Sequence, residues 1–299
     1  MSDDRFPRES LTHRLSDGRL LGYAEYGDPT GTPIVFFHGT PSSRLMFRVG
    51  DEAARSAGVR LIAPDRPGIG LSTHKPGRRI ADWPADVVSL ADALGLSHFA
   101  VVGISGGGPY AMACATFIPE RLSSMGAVSG MGPLDHPVLF KTLTHSYRAI
   151  FGLARLGGIP YSMFCRAVAA SVRRWPASIL ASASGKEPSA ERKGIKTTEA
   201  WHALKIASVE AFRSGSSGPG HDVHLLATPW GFVPDNGRVR TFLWHGNADT
   251  IVPAAMTHHL AESMQGCEIS IIPGAGHFWG LANAAIIIGA MTSVRQEAA

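Results

Sequence analysis

The sequence has few cysteines and no long apolar run. Its three cysteines, Cys114, Cys165 and Cys267, are scattered and odd in number, and none forms a CxxC pair. A disulfide framework is therefore not expected, and a reducing, cytoplasmic location is predicted. Apolar stretches such as 284–291 are too short to cross a bilayer, and the acidic first ten residues do not resemble a secretory signal.

Runs of basic residues are also missing, although the net charge is +4. No Lys/Arg run exceeds two residues, and no aromatic–basic pattern resembles an RNA-binding strand. The excess positive charge lies in residues 132–225, which hold 12 basic and 6 acidic residues. A small-molecule substrate is therefore favoured over nucleic acid, and a homodimer is compatible with the sequence.

The sequence also lacks a recognisable metal or cofactor motif. His221 and His224 have the i, i+3 spacing of one helix face, but no third ligand stands nearby, so a polar helix face is the favoured interpretation. No glycine-rich loop has the spacing that cradles a phosphate. Neither a metal nor an organic cofactor is expected.

Up to about residue 131, short β-branched runs alternate with helical patterns. Such alternation with short connections predicts a mostly parallel sheet with helices on both faces. The opening two runs predict a hairpin, which would place an antiparallel strand near the start. The predicted strands are 13–15, 20–26, 34–38, 59–63, 99–104 and 123–129, and the predicted helices are 44–57, 82–94 and 107–117.

From residue 133 to about 225 no convincing strand is present, and alternation then resumes. An all-helical block inside an α/β alternation predicts a core at 1–132 and 226–299 with a helical insertion at 133–225 over the carboxyl edge of the sheet. Apolar positions of its helices, Phe151 and Met163 among them, are expected to face inward. The predicted elements are helices 137–156, 161–174 and 198–213, a flexible Ser/Gly link at 214–220, strands 239–245 and 268–272, and helices 253–264 and 278–294.

The motif G-x-S-x-G is present at residues 103–107, between a predicted strand and a predicted helix. A sharp strand-to-helix turn forces its corner residue into strained backbone angles, and small neighbours prevent a clash. The turn presents the hydroxyl of Ser105 at the edge of the sheet, beside the free N–H groups of a helix start. Ser105 is therefore the candidate nucleophile of this nucleophile elbow.

A serine nucleophile needs a base and an acid that orients the base. His277 lies on a glycine-rich loop after the strand 268–272, and Asp249 follows the preceding strand. The chain order is Ser, Asp, His, with each residue at the end of a different strand. Asp135, after the strand 123–129, is the alternative acid, and it equally suits the N-cap of a helix.

With these motifs the sequence resembles the α/β-hydrolase fold superfamily, in its cap-bearing serine esterase and C–C hydrolase branch. The resemblance covers essentially the whole core and implies an eight-stranded sheet with a helical cap. It implies that Ser105, Asp249 and His277 form the catalytic triad, with an oxyanion hole at the backbone N–H groups of Thr40 and Gly106. It rests on the motifs His38-Gly-Thr-Pro41, Asp65-Arg-Pro-Gly-Ile-Gly-Leu-Ser72, Gly103-Ile-Ser-Gly-Gly107, His245-Gly-Asn-Ala-Asp249 and Gly276-His277.

The expected function is hydrolysis of a carboxylic ester, or of a related thioester, lactone or activated C–C bond, through an acyl-enzyme. The alternative is a non-hydrolytic enzyme of the same fold (a lyase, an acyltransferase or a cofactor-free peroxidase) or a silent ligand receptor. The sequence departs from the motifs of three subfamilies. Epoxide hydrolases and haloalkane dehalogenases carry aspartate at the elbow, where this chain has Ser105. Proline iminopeptidases carry a His-Gly-Gly-Pro-Gly loop, in which Thr40 and Ser42 replace two glycines here, and this argues against an aminopeptidase.

The substrate is expected to be mostly apolar and medium-sized. Arg148 and Arg166 lie among apolar positions of the helical insertion, and an arginine in a partly dry pocket binds a carboxylate bidentately. Met131 and Trp279 are the other candidate substrate contacts. For Trp279, core packing is the alternative interpretation.

Overall fold

The computed structural model describes residues 7–183, 199–234, 237–264 and 266–293. Its strands are β1 (Arg8–Arg14), β2 (Leu20–Gly27), β3 (Thr32–Phe37), β4 (Val59–Pro64), β5 (Phe99–Ile104), β6 (Leu122–Val128), β7 (Thr241–Gly246) and β8 (Glu268–Ile272). They form one sheet in the order β1-β2-β4-β3-β5-β6-β7-β8, in which β2 runs antiparallel to both of its neighbours. The predicted eight-stranded, mostly parallel sheet is confirmed.

Twelve α-helices are present in the described residues, and none of these is both long and apolar enough to cross a membrane. The helices are α1 (Asp51–Ser56), α2 (Trp83–Ala93), α3 (Gly108–Phe117), α4 (Pro137–Thr142), α5 (His145–Leu156), α6 (Gly158–Arg174), α7 (Pro176–Ala183), α8 (Glu199–Ala211), α9 (Ser217–Ala227), α10 (Ala255–Ser263), α11 (Trp279–Ala282) and α12 (Ala284–Ser293). Helices α4 to α9, which lie between β6 and β7, are called the helical block below.

Two apolar cores flank the sheet, because its central strands are buried on both faces. One core joins residues of α2, α3 and α10, with Trp83 and Tyr110 among its largest side chains. The other joins α8 and α12 to a 3-10 segment at Arg44–Gly50, with Phe47 and Trp201 in contact with the sheet. Helices therefore cover both faces, as the alternating pattern predicts.

Three predicted helices are interrupted in the structure. The prediction 44–57 is wrong in its first half, where Arg44, Leu45, Met46 and Phe47 are buried in succession in a 3-10 segment. Four consecutive buried residues do not follow the period of an α-helix that covers a surface. The prediction 137–156 divides into α4 and α5 because Thr144 caps a new helix, and 278–294 divides into α11 and α12 at Asn283.

The predicted flexible link at 214–220 is also wrong, because α9 starts at Ser217 within it. A side chain at Gly218 would place its Cβ 2.0 Å from the carbonyl oxygen of Gly68, so the two backbones are in direct contact. Glycine serves close packing here rather than freedom of motion. Helix α9 ends at Ala227, two residues beyond the predicted end of the insertion at 225, and the division into 1–132, 133–225 and 226–299 stays a prediction.

A buried ion pair holds α9 to the loop that follows β4. Arg66 Nε donates to Asp222 Oδ2 over 2.7 Å, and Arg78 donates to Asp222 Oδ1. The hydroxyl of Tyr110 donates to the same Oδ1 over 3.0 Å. Burial raises the pKa of the Asp222 carboxyl, but the charges of Arg66 and Arg78 outweigh burial and hold that pKa well below its usual range.

The residue before Arg66 takes part in a second buried contact with the helical block. Asp65 accepts from Arg44 Nη1 over 2.7 Å, and the same nitrogen donates to Glu210 of α8 over 2.7 Å. Arg44 and Asp65 are both buried. Two consecutive core residues thus tie two different helices of the block to the sheet.

Asp222→Asn should lower the free energy of unfolding by about 3–5 kcal/mol, because it leaves two buried arginines without a counter-charge. Denaturant unfolding measures this loss. Since folding lowers the pKa of Asp222, its contribution is present above the unfolded pKa of about 4 and is lost as pH falls through the lower folded value. The difference between wild type and variant should therefore persist at about pH 5 and shrink in stronger acid.

The matched control is Asp92→Asn, because Asp92 also pairs with an arginine but its side chain is 61% exposed. An exposed pair is worth less than about 1 kcal/mol. Equal losses in the two variants would contradict a special role for the Asp222 pair.

Candidate active site

Ser105, Asp249 and His277 meet at the carboxyl edge of the sheet. His277 Nε2 lies 3.0 Å from Ser105 Oγ, and His277 Nδ1 lies 2.7 Å from Asp249 Oδ2. The three residues follow β5, β7 and β8, whose carboxyl ends share one edge because these strands are parallel. A hydroxyl, an imidazole and a carboxylate in this chain of contacts can act as nucleophile, base and orienting acid.

Ser105 occupies the strained corner between β5 and α3. Its φ is +54°, which is rare for a residue with a side chain. The turn is possible because glycine stands on both sides, where a Cβ at Gly103 would lie 2.3 Å from the Gly107 carbonyl oxygen and one at Gly107 would lie 2.2 Å from the Phe37 carbonyl oxygen. Glycine is therefore required at both positions of the motif, because other backbone segments approach there too closely to leave room for a side chain.

Asp249 is held by backbone donors on one oxygen and faces the His277 ring with the other. The N–H groups of Ile251 and Val252 each donate to Asp249 Oδ1 over 2.8 Å. Burial raises the pKa of the Asp249 carboxyl, but attraction to the His277 and His245 rings and the hydrogen bonds from them outweigh burial and lower the pKa below its usual range. The carboxylate is therefore ionised at neutral pH.

A second histidine, His245, also contacts the acid. Its Nε2 lies 2.7 Å from the carbonyl oxygen of Val252 and 3.2 Å from Asp249 Oδ2. A carbonyl oxygen only accepts, so Nε2 carries the hydrogen, and in the neutral ring Nδ1 then accepts from Thr257 Oγ1 over 2.6 Å. In the sequence, His245 is only the histidine that ends a predicted strand and begins a motif. The i, i+4 spacing to Asp249 was the available signal.

Asp135, the alternative acid, lies exposed in the loop before α4. Asp249 is the carboxylate that holds Nδ1 of His277. The geometry thus favours Asp249 over Asp135 for the acid role.

The candidate oxyanion residues are in contact with each other. A Cβ at Gly106 would lie 2.6 Å from Thr40 Oγ1, and it would also lie 3.0 Å from Cδ1 of Leu226 on α9. Arg66 Nη2 donates to the Gly39 carbonyl oxygen over 3.0 Å and to Thr40 Oγ1 over 2.8 Å. The pair between Arg66 and Asp222 therefore supports the loop that carries Thr40.

The four candidate substrate contacts lie in different surroundings. Met131 is buried in a cluster with Leu226, and its N–H donates to the carbonyl oxygen of Ser105 over 3.1 Å. Trp279 is half-buried and packs against the core that contains Phe47, in line with the alternative of core packing. Arg148 is half-buried and Arg166 is exposed, and the described hydrogen bonds join neither side chain to Ser105 or His277.

The histidine pair predicted to lie on a polar helix face is on α9, next to Asp222. His224 Nδ1 contacts the Ala154 carbonyl oxygen over 2.7 Å, and the His221 ring lies 6.0 Å from that of His74. Burial, with the nearby charge of Arg78, lowers the pKa of His221 to about 4. Within the described ranges, no group of three His, Cys, Asp or Glu side chains is arranged to hold a metal ion.

Comparison with known proteins concerns the fold as a whole. The family model of the alpha/beta hydrolase fold matches residues 32–283. The chain is 34% identical to the uncharacterized hydrolase YcgS of Bacillus subtilis over 36% of this chain and 37% of YcgS. It is 26% identical to a non-heme haloperoxidase of Rhodococcus erythropolis over 88% of this chain and 90% of that protein.

A thermophilic esterase of Thermogutta terrifontis has a similar fold. The two structures superpose with a TM-score of 0.61 over 98% of each chain, at 21% sequence identity. Several curated relatives, however, are matched over only 30 to 45% of their own length. Their activities and substrates are properties of those proteins.

His245→Phe should lower kcat about tenfold and leave KM nearly unchanged. The variant removes the Nε2–H group that lies 3.2 Å from Asp249 Oδ2, and a hydrogen bond to a charged group is worth about 1.5–3 kcal/mol. Steady-state hydrolysis of an activated ester measures both constants. Thr257→Val is the matched control, since it removes only the hydrogen bond on the far ring nitrogen, and a drop in kcat as large as that of His245→Phe would contradict the assigned role.

Proposed function

Since this chain belongs to the alpha/beta hydrolase fold family, we propose that it is a serine hydrolase that cleaves a carboxylic ester of a mostly apolar small molecule. The observation that carries the proposal is the contact of His277 with both Ser105 and Asp249, at 3.0 and 2.7 Å. A serine at the strained elbow, a histidine on its hydroxyl and an ionised carboxylate on that histidine are the parts that acyl transfer needs. Nothing in this mechanism requires a metal or an organic cofactor.

The proposed reaction has two steps. Ser105 Oγ attacks the ester carbonyl while His277 Nε2 takes its proton, and the protonated ring then gives that proton to the departing alkoxide. A water molecule, deprotonated by the same ring, next attacks the acyl-enzyme, and its proton returns to Ser105 as the acid product leaves. Asp249 stabilises the imidazolium that forms in both steps.

The negative oxygen of each tetrahedral intermediate would lie against the backbone N–H groups of Thr40 and Gly106. Two features support this assignment. Gly106 follows Ser105 at the start of a helix, where N–H groups are directed outward. Thr40 is held against Gly106 by the Arg66 guanidinium, so the two donors are positioned before substrate binds.

The proposed substrate is mostly apolar because the helical block places apolar side chains beside the nucleophile. Leu226 reaches Gly106, and Met131 packs with Leu226 and Met256. Whether Arg148 or Arg166 binds a carboxylate on the substrate, and whether Trp279 touches it, stays a prediction.

Ser105→Ala should lower kcat/KM for p-nitrophenyl butyrate by about 10³-fold or more, because the nucleophile is lost. Asp249→Asn should cost nearly as much, since an amide no longer holds the required tautomer of His277. Asp135→Asn is the matched control and should have little effect. If the two aspartate variants gave the reverse result, the acid assignment would be wrong.

The acyl-enzyme can be trapped directly. Mixing excess p-nitrophenyl butyrate with the enzyme and quenching in acid should give a mass increase of one butyryl group on the peptide that contains Ser105. The same experiment at low temperature slows deacylation. If nitrophenol were then released steadily and no quenched sample contained the adduct, the acyl-enzyme mechanism would be wrong. A screen of esters, lactones, amides and β-diketones then ranks the bond types.

Gly106→Ala should reduce kcat about 10²-fold, because its Cβ would push Thr40 away by more than a few tenths of an ångström and misplace the oxyanion donors. Ester hydrolysis measures this loss. Gly152→Ala is the matched control, since a Cβ at Gly152 meets no atom within 4 Å. Wild-type activity in the Gly106 variant would place the oxyanion donors elsewhere.

A cofactor-free peroxidase is the second candidate, and the name of the Rhodococcus erythropolis relative favours it. In that reaction acetate would acylate Ser105 with release of water, hydrogen peroxide would attack the acyl-enzyme in place of water, and the acyl group would leave as peroxyacetic acid, which oxidises bromide. Bromide oxidation in acetate buffer with hydrogen peroxide, compared with ester hydrolysis by the same preparation, separates the two activities.

A further inference from the structure

One stretch of the helical block combines exposed apolar side chains with an excess of one charge. Residues 136–186 contain seven lysines and arginines and no aspartate or glutamate. Ten large apolar side chains are exposed among the described residues, and six of them lie in this stretch. Those six are Val138, Leu156, Ile159, Met163, Trp175 and Ile179.

Helix α6 arranges part of this set in one stripe. Ile159, Met163, Arg166, Ala170 and Arg174 are spaced by four, three, four and four residues, so they share one face of the helix. All five are exposed, whereas Tyr161, Ala169 and Val172 on the opposite face are buried. Met163 was expected to face inward; it is 64% exposed, whereas Phe151 is buried as expected.

Two exposed apolar side chains flank α6 in the chain. Leu156, the last residue of α5, is 83% exposed, and Trp175, the residue after α6, is 56% exposed. The guanidinium of Arg174 lies 5.8 Å from the centre of the Trp175 ring. We call the outer stripe the set Leu156, Ile159, Met163, Arg166, Arg174 and Trp175.

The cations of the outer stripe have no counter-charge among the described carboxylates. Arg173, the neighbour of Arg174, is already used within the protein, since it donates to the carbonyl oxygen of Phe212. Arg166 and Arg174 form no ion pair with a described aspartate or glutamate. Exposed apolar side chains that alternate with arginines lacking a carboxylate partner in the described part of the chain suit an anionic surface with an apolar interior.

We propose that the outer stripe docks on a bilayer that contains anionic lipids. Leu156, Ile159 and Met163 would enter the boundary between head groups and acyl chains, while Arg166 and Arg174 would bind lipid phosphates and extend their apolar stems along it. Trp175 suits this position because its ring is amphipathic and favours the membrane interface. The helix lies on the surface and does not span it.

The charge pattern favours a lipid surface over a second copy of the chain. A symmetric pair of outer stripes would bring four arginines together with no acidic residue between them. A straight helix of 17 residues is about 25 Å long and presents its stripe as a ridge, which matches a plane better than a groove. Docking would also bring the block that carries Leu226, beside Ser105, close to lipid-dissolved esters.

Sedimentation with vesicles tests the proposal on the full chain. The protein should bind vesicles of phosphatidylcholine mixed with phosphatidylglycerol, bind phosphatidylcholine alone much more weakly, and lose binding as salt is raised. Ser105→Ala should bind like the wild type, so the result does not depend on the proposed catalytic function. No binding to the anionic vesicles would overturn the proposal.

Two double variants separate the two halves of the outer stripe. Arg166→Gln with Arg174→Gln should weaken the partition constant roughly 25-fold, since each cation near such a surface is worth about a factor of five. Ile159→Ser with Met163→Ser should weaken it about tenfold or more, because less apolar area is buried. Circular dichroism should show both variants folded, because all four side chains are exposed.

The controls change the same residue types outside the helical block. Arg55→Gln with Arg79→Gln removes two exposed arginines, and Val233→Ser removes a side chain that is 75% exposed. These controls should bind nearly as the wild type does. Equal losses in stripe and control variants would overturn the proposal. So would a dimer, seen by sedimentation velocity, that both stripe variants dissociate, because a second copy would then cover the stripe.

Discussion

The ion pair between Arg66 and Asp222 joins the sheet, the loop beside Ser105 and the helical block. Both side chains are fully buried. The guanidinium of Arg66 also donates to the carbonyl oxygens of His38 and Gly39 and to the hydroxyl of Thr40. Since a buried charge needs its partner and its remaining hydrogen bonds, these parts fit together in one arrangement. The position of Thr40 against Gly106 depends on that arrangement.

The second contact of the same loop makes the attachment of the block two-sided. Asp65 reaches α8 through Arg44 and Glu210, and Arg66 reaches α9 through Asp222. The direct contact between Gly68 and Gly218 lies beside these pairs. The loop with the Asp65–Ser72 motif thus also holds α8 and α9, and one result is that Leu226 on α9 lies close to Gly106.

The proposed acid, Asp249, is likewise held by several partners at once. The oxygens of Asp249 are divided between backbone N–H groups on one side and two histidine rings on the other. The backbone N–H groups of Ile251 and Val252 fix Oδ1, so the carboxylate is held in place independently of His277.

The helical block has two different faces. Its inner face contains Leu226 and Asp222, whereas α6 presents arginines and apolar side chains to solvent.

The local parts of this protein were determined by the sequence. Strand–helix alternation predicted the mostly parallel sheet, and the G-x-S-x-G spacing indicated Ser105 as the candidate nucleophile, because both patterns depend on neighbours in the chain. Tertiary structure decided what Asp222, Gly218, His245 and Met163 do. Asp222, Gly218 and His245 acquire their roles from partners in the folded chain. Arg66, for example, is 156 residues from Asp222 in the sequence. Periodicity along one helix distinguishes its two faces, but only the packing of α6 against its neighbours decided which face meets solvent.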